Sequence, residues 1–113
     1  MNELKKMACV PCERGGSPLS ADEIDRLRQE LPDWEVVTEA GELRLRRMFT
    51  FSDFRQALAF TNHVGELAEA EGHHPKLVTE WGGVTVEWWT HSVGGLHRND
   101  FIMAARTSAL HEG

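Results

Sequence analysis

At 113 residues and 41% hydrophobic content, the chain has the size and composition of one globular domain with a single core. Twelve Lys and Arg against eighteen Asp and Glu leave a formal charge of −6, and the basic residues are scattered apart from Arg44, Arg46 and Arg47, which disfavours direct nucleic-acid binding. The opening stretch MNELKKMACV has charges within its first six residues and no apolar run of signal-peptide or membrane-span length, so the expectation is a cytoplasmic protein with no membrane partner.

In chain order, residues 1–18 read as an N-terminal loop, because ACVPCERGGSP is rich in Gly and Pro. Its Cys9 and Cys12 are too few for a disulfide framework, and tetrahedral zinc needs two further ligands. A thioredoxin-like pair follows a strand and opens a helix, whereas here Gly15, Gly16 and Pro18 intervene, so the thiols read as incidental. Ser20 and Glu23 form a capping-box pattern ahead of Ile24, Leu27 and Leu31 at helical spacing, and Pro32 stops that helix. Trp34 to Thr38 reads as a short β-branched strand with a turn at Gly41. Leu43 to Phe51 alternates Leu43, Leu45, Phe49 and Phe51 against Arg44, Arg46 and Thr50, with Arg47 interrupting the apolar face.

Ser52 offers an N-cap for a long helix carrying Phe54, Ala57, Leu58, Thr61, Val64 and Ala68, with Asp53 favourable to its dipole and Gly72 as its C-terminal stop. Lys76 to Trp81 and Val84 to Thr90 then flank Gly82-Gly83, a two-residue hairpin signal. In that register Trp81 pairs with Val84 and Leu77 with Trp88, giving one apolar face of Leu77, Thr79, Trp81, Val84, Val86 and Trp88. A Gly-rich loop over Ser92 to Leu96 leads into a third helix from about Asn99 to Ser108. The order α-β-β-α-β-β-α predicts an α+β fold over 1–113, a four-stranded antiparallel sheet with three helices on one face.

The chemistry concentrates in the histidines. His63 and His111 read as solvated helix or tail positions. Carrying the hairpin register outward sets His74 opposite His91 on the face that also carries Trp89, close enough for both rings to reach one small molecule. His73 sits where helix turns into strand, so alternation does not fix its direction, and it can join the same cleft. Three neighbouring imidazoles cannot readily all be protonated, which leaves a base beside an acid and suits metal-free proton transfer. Zinc competes for three histidines, but His73-His74 diverge in a regular strand and no HExxH helix is present, so no metal is expected. No phosphate-cradling loop or GxSxG elbow occurs, and Trp89 is placed to stack on a flat heterocycle or a subunit contact.

The string Glu69-Ala70-Glu71-Gly72-His73-His74-Pro75, with Trp81, Thr90-His91, Gly95-Leu96 and Asp100 at their spacings, resembles the signature of the pterin-4a-carbinolamine dehydratases. The resemblance extends from about Leu19 to Ala109 and includes Trp34 and Phe49-Thr50-Phe51-Ser52-Asp53-Phe54; bacterial relatives are also similar in the leader Cys9-Val10-Pro11-Cys12. It implies the same α+β arrangement and a lyase that dehydrates 4a-hydroxytetrahydrobiopterin to quinonoid dihydrobiopterin without a cofactor. It further implies His73, His74 and His91 as the acid-base residues, with Glu69, Pro75, Thr90, Ser92 and Val93 at the pterin. Homodimers or homotetramers and work beside an aromatic amino-acid hydroxylase in tetrahydrobiopterin recycling are implied as well. The alternatives are a non-catalytic dimerisation or coactivator protein and a pterin enzyme near molybdopterin metabolism. Relatives carry Thr or Ser where this chain has His97, which predicts a weakened cap with Asn99 in its place, and gives Asp100 a helix-stabilising role.

Overall fold

The computed structural model describes residues 4–7, 9 and 17–112. Among them, helices α1 (Ala21–Arg28), α2 (Phe54–Glu71) and α3 (Arg98–Glu112) alternate with strands β1 (Glu35–Glu39), β2 (Glu42–Thr50), β3 (Lys76–Glu80) and β4 (Gly83–Trp88). Two single 3-10 turns, Leu4–Lys6 and His91–Val93, fall in segments expected to be loops. The strands form one antiparallel sheet in the order β1-β2-β4-β3, so the long strands β2 and β4 are central. This is the predicted α+β arrangement.

The core lies between the inner face of the sheet and the helices. Leu45, Phe49, Val84, Val86 and Trp88 point into it, each at most 1% exposed, and meet Ala57 and Val64 of α2 and Phe101 and Met103 of α3. Ile24 of α1 joins the same cluster. A side chain the size of Trp88 in such a place is worth about 3–5 kcal/mol on truncation to Ala. Its indole N–H donates to Thr107 Oγ1 at 3.2 Å, and Thr107 in turn donates to the carbonyl of Met103 at 2.6 Å, so the only polar atom of the ring is satisfied inside α3. Arg47, the cation on the apolar face of β2, lays its guanidinium 4.3 Å from the centroid of Phe49 and donates to Ser108 Oγ at 3.0 Å. His111 is exposed near the end of α3, as expected, with its ring 5.0 Å from Phe49 and 5.6 Å from Phe51.

Three local expectations are corrected. The N-cap of α2 is Asp53, whose carboxylate accepts from Gln56 N–H at 2.8 Å; Ser52 instead donates its own N–H to the Gln56 side chain at 3.3 Å. In the β3–β4 hairpin, Glu80 faces Gly83 and Leu77 faces Val86, so the turn residues are Trp81 and Gly82, with Gly82 at φ +80°. Gly83 is a strand residue: it pairs with Thr50, and a Cβ on it would come within 2.6 Å of Met48 Cε. Trp81 therefore leaves the apolar face and is 74% exposed. Extending the observed register sets His74 against Trp89, and His91 lies beyond the strand in a 3-10 turn, so the two histidines are not cross-strand partners.

Gly72 caps α2 with φ +66° and ψ +29°, and the N–H groups of Gly72 and His73 both return to Ala68 O. Nothing lies within 4 Å of a Cβ built there, so Gly72→Ala tests conformation without a clash. It should lower unfolding stability by about 1–2 kcal/mol, read as a shift in the urea midpoint with unchanged slope.

Candidate active site

The end of α2 sends two adjacent imidazoles in opposite directions. His73 turns inward, with its Nε2 2.6 Å from Asp100 Oδ1 and its ring stacked on Trp88 at 5.7 Å and an interplanar angle of 10°. His74 turns outward, its Nε2 2.6 Å from Glu69 Oε2, one turn back on α2. The two pairs differ in setting: the His73 and Asp100 side chains are 12% and 0% exposed, those of His74 and Glu69 62% and 79%.

Asp100 sits in the first turn of α3 and receives more than His73. Its Oδ2 accepts from Thr90 Oγ at 2.8 Å and from the N–H of His97 at 2.9 Å. The His97 side chain also contributes, since its Nδ1 accepts from Asn99 N–H at 2.9 Å. Together these bonds cap the helix start, with the imidazole nitrogen taking the Asn99 N–H while the Asp100 N–H goes to the His97 carbonyl at 2.9 Å. The cap is thus His97 and not Asn99, because an unprotonated Nδ1 presents a lone pair where Ser or Thr would present oxygen. Asp100 does stabilise the start of α3, and it fixes His73 as well.

The facing wall comes from the end of β4. After Trp88 the chain passes through Trp89 and Thr90, makes the 3-10 turn, and closes on itself by hydrogen bonds between Thr90 and Gly95 at 2.8 and 3.3 Å. Trp89 is half-buried with the Arg44 guanidinium 3.8 Å from its ring centroid, and Arg44 in turn pairs with Glu87 at 2.9 Å. Glu87 also binds Arg46 at 2.8 Å. Burial pushes the Glu87 carboxyl up, but the two guanidiniums outweigh it and hold the group below its ordinary value. Trp89 is therefore braced on one ring face by an ion-paired cation. His91 stands at the rim, its side chain 90% exposed and its Nδ1 3.5 Å from Glu42.

Between these walls is a cleft of about 560 Å3. His73, His74 and His91 all line it, together with Thr90, Ser92 and Trp89. Cys9, Glu71, Gly72 and Asn99 complete the lining and were not foreseen as site residues. Of the other expected pterin contacts, Glu69 holds His74, Val93 is 7% exposed, and Pro75 is half-buried; none of the three lines the cleft. Cys12 lies outside the described residues. Among the described residues no group of three or more His, Cys, Asp or Glu is arranged to hold a metal ion. The Asp100 contact has no signature in local spacing, being 27 residues from His73, and Glu71 is marked only by its place at the last turn of α2.

The chain is similar to known proteins over most of its length. The family model described as pterin 4 alpha carbinolamine dehydratase matches residues 17–110. A protein of Chlorobium limicola, provisionally named pterin-4-alpha-carbinolamine dehydratase, is 85% identical over 113 residues, covering 100% of both chains. One of Chlorobium luteolum with the same provisional name is 60% identical, covering 97% of this chain and 96% of its own. A crystal structure from Brucella melitensis, described as a transcriptional coactivator/pterin dehydratase, superposes with a TM-score of 0.76 at 30% identity, over 83% of this chain and 98% of that one.

The ion-paired brace behind Trp89 gives a pH test. Because the folded pKa of Glu87 is depressed from its ordinary 4.5, its charged form adds stability that is fully present above that value and is lost as pH falls through the lower folded value. Glu87→Gln should melt below wild type at pH 6, and the gap should narrow as the pH is lowered toward 3; a gap independent of pH would rule out the charge as its source.

Proposed function

The chain belongs to the pterin-4a-carbinolamine dehydratase family, and we propose from this that it removes water from a 4a-hydroxytetrahydropterin, with 4a-hydroxytetrahydrobiopterin as substrate, by histidine acid-base catalysis. The observation that carries the mechanism is the buried His73–Asp100 pair opening into a cleft that His74 and His91 also line.

The reaction breaks the C4a–O bond and forms a C4a=N5 double bond. One proton is delivered to the departing hydroxyl, which leaves as water, and one is withdrawn from N5, so the change is balanced and requires no redox partner. In both His73 and His74, Nε2 faces a carboxylate, so Nδ1 of each ring is the nitrogen left for exchange with substrate. Asp100 is a positioning residue: it sets the ring rotation and tautomer of His73 without lining the cleft itself. His91 on the rim assists, and Trp89 stacks on the planar pterin, with Thr90 and Ser92 along its edge. Glu69 acts through His74. No cofactor or metal takes part in this scheme.

The product is a quinonoid dihydropterin, and the proposed setting is tetrahydrobiopterin recycling beside an aromatic amino-acid hydroxylase in the cytoplasm, with the chain acting as a homodimer or homotetramer. The competing reading is a non-catalytic coactivator, as the description of the Brucella relative includes; the intact histidine set favours chemistry.

Absorbance kinetics of 4a-hydroxytetrahydropterin breakdown separate these. Wild type should exceed the spontaneous rate, and His73→Ala or His74→Ala should each lose about 10²–10³ in kcat. Asp100→Asn should lose about tenfold or more in kcat with KM little changed, because it disturbs orientation rather than binding. Chelators should leave the rate unchanged. A wild type that matches the spontaneous rate ends the enzyme reading, and a rate abolished by chelators ends the metal-free mechanism.

A further inference from the structure

The family match begins at residue 17, and the Brucella structure is matched over 98% of its own length by only 83% of this chain. The segment ahead of residue 17 is therefore additional to the shared domain, yet part of it lies at the cleft. Leu4 is 1% exposed, and its 3-10 turn packs against α3. Met7 Sδ receives a contact from Arg98 Nη2 at 3.4 Å, at the first residue of α3. Cys9 then lines the cleft while its backbone N–H donates to Glu71 Oε1 at 2.9 Å. The chain returns at Leu19, whose N–H donates to Leu96 O at 2.8 Å. Leader and domain are thus tied on both sides of the site.

Glu71 is the residue at which these ties meet the histidines. It ends α2 one residue before His73-His74 is introduced by Gly72, lines the cleft, and pairs through Oε2 with Arg106 of α3 at 3.1 Å. Building on the lyase reading above, we propose that Glu71 is a positioning residue that holds Cys9 in place as a wall of the substrate cleft, so that the leader contributes to pterin binding rather than to proton transfer. The Cys9 amide, the leading influence, and then the Arg106 guanidinium favour the charged carboxylate against its partial burial and keep Glu71 below its ordinary range, so the clamp is an ionised acceptor near neutral pH. Such an acceptor has three demands on it in a small space: the leader amide, α3 and the end of α2. Moving any one of them displaces the wall.

The roles separate kinetically. Glu71→Leu removes the acceptor and should raise KM about five- to tenfold with kcat within about twofold of wild type, the pattern of a lost binding contact. Glu71→Gln keeps an acceptor for the Cys9 amide and should restore KM to near wild type. A general loss of structure would not be rescued in this way. Independently, in Cys12→Ser protein, 7,8-dihydrobiopterin should slow iodoacetamide alkylation of Cys9, followed by mass spectrometry. This second arm needs no change at Glu71. Unchanged KM in Glu71→Leu, a fall in kcat at constant KM, or Cys9 alkylation at equal rates with and without bound pterin overturns the proposal. A wild type that binds the pterin and protects Cys9 but leaves dehydration at its spontaneous rate overturns the lyase reading alone; one that binds no pterin overturns both.

Discussion

A carboxyl group with no exposed surface has to fill its lone pairs from protein, and Asp100 does so with donors from three separated segments. His73 follows α2, Thr90 follows β4, and the His97 N–H precedes α3. Loss of one donor leaves a buried acceptor unsatisfied, at a cost of about 1–3 kcal/mol. The ends of the central helix and central strand and the start of the closing helix are therefore held in one geometry by one side chain. Fold stability and site geometry are not separable at this point. The His97 imidazole adds a second cap bond, from Asn99 N–H, so the start of α3 is fixed by the same residues that orient His73.

The ring of His73 is constrained in its plane as well. It lies flat on Trp88, and Trp88 is anchored through Thr107 to the interior turn of α3. A hydrogen bond to Asp100 fixes rotation about the ring axis; the indole fixes the plane. The sheet thus supplies a floor, α3 supplies the carboxylate, and α2 supplies the imidazole. On the other wall the arrangement repeats in weaker form, with Arg44 between the Trp89 ring and Glu87.

The element order was legible because each signal was local: the Ser20–Glu23 box, the alternation through Leu45 and Phe49, and Gly72 at the end of α2. The hairpin register was not. Two consecutive glycines both permit a turn, and the choice between them is made by β2, where Met48 and the pairing with Thr50 admit only Gly83. That contact lies more than thirty residues away in sequence, so no reading of residues 76–90 contains it. The same limit applies to the site. The motif marked the three histidines, and all three meet at one cleft, but the cross-strand opposition of His74 and His91 inferred from the turn fails with the register. Cys9 read as incidental because its position depends on Glu71, 62 residues on. His97 was treated as a lost cap because capping statistics concern hydroxyls and carboxylates, whereas the geometry requires only an acceptor.

The two neighbouring histidines show what burial does to otherwise matching contacts. Each has Nε2 2.6 Å from a carboxylate oxygen. The pair formed by His74 and Glu69 stands largely in water, where screening and side-chain entropy leave such a contact worth at most about 1 kcal/mol. Glu69 can release His74 with little penalty. Asp100 cannot release His73 without leaving an enclosed oxygen unpaired. One imidazole is therefore held rigidly while its neighbour can reorient, and the proposed reaction, with two proton transfers at different atoms of one ring, would use that inequality: a fixed group to set the geometry of one transfer and an adaptable one to follow the substrate through the other. Gly72 ends α2 in a left-handed turn just ahead of both residues, so the two side chains leave from adjacent positions beyond the helix, one toward Asp100 and the other back toward Glu69.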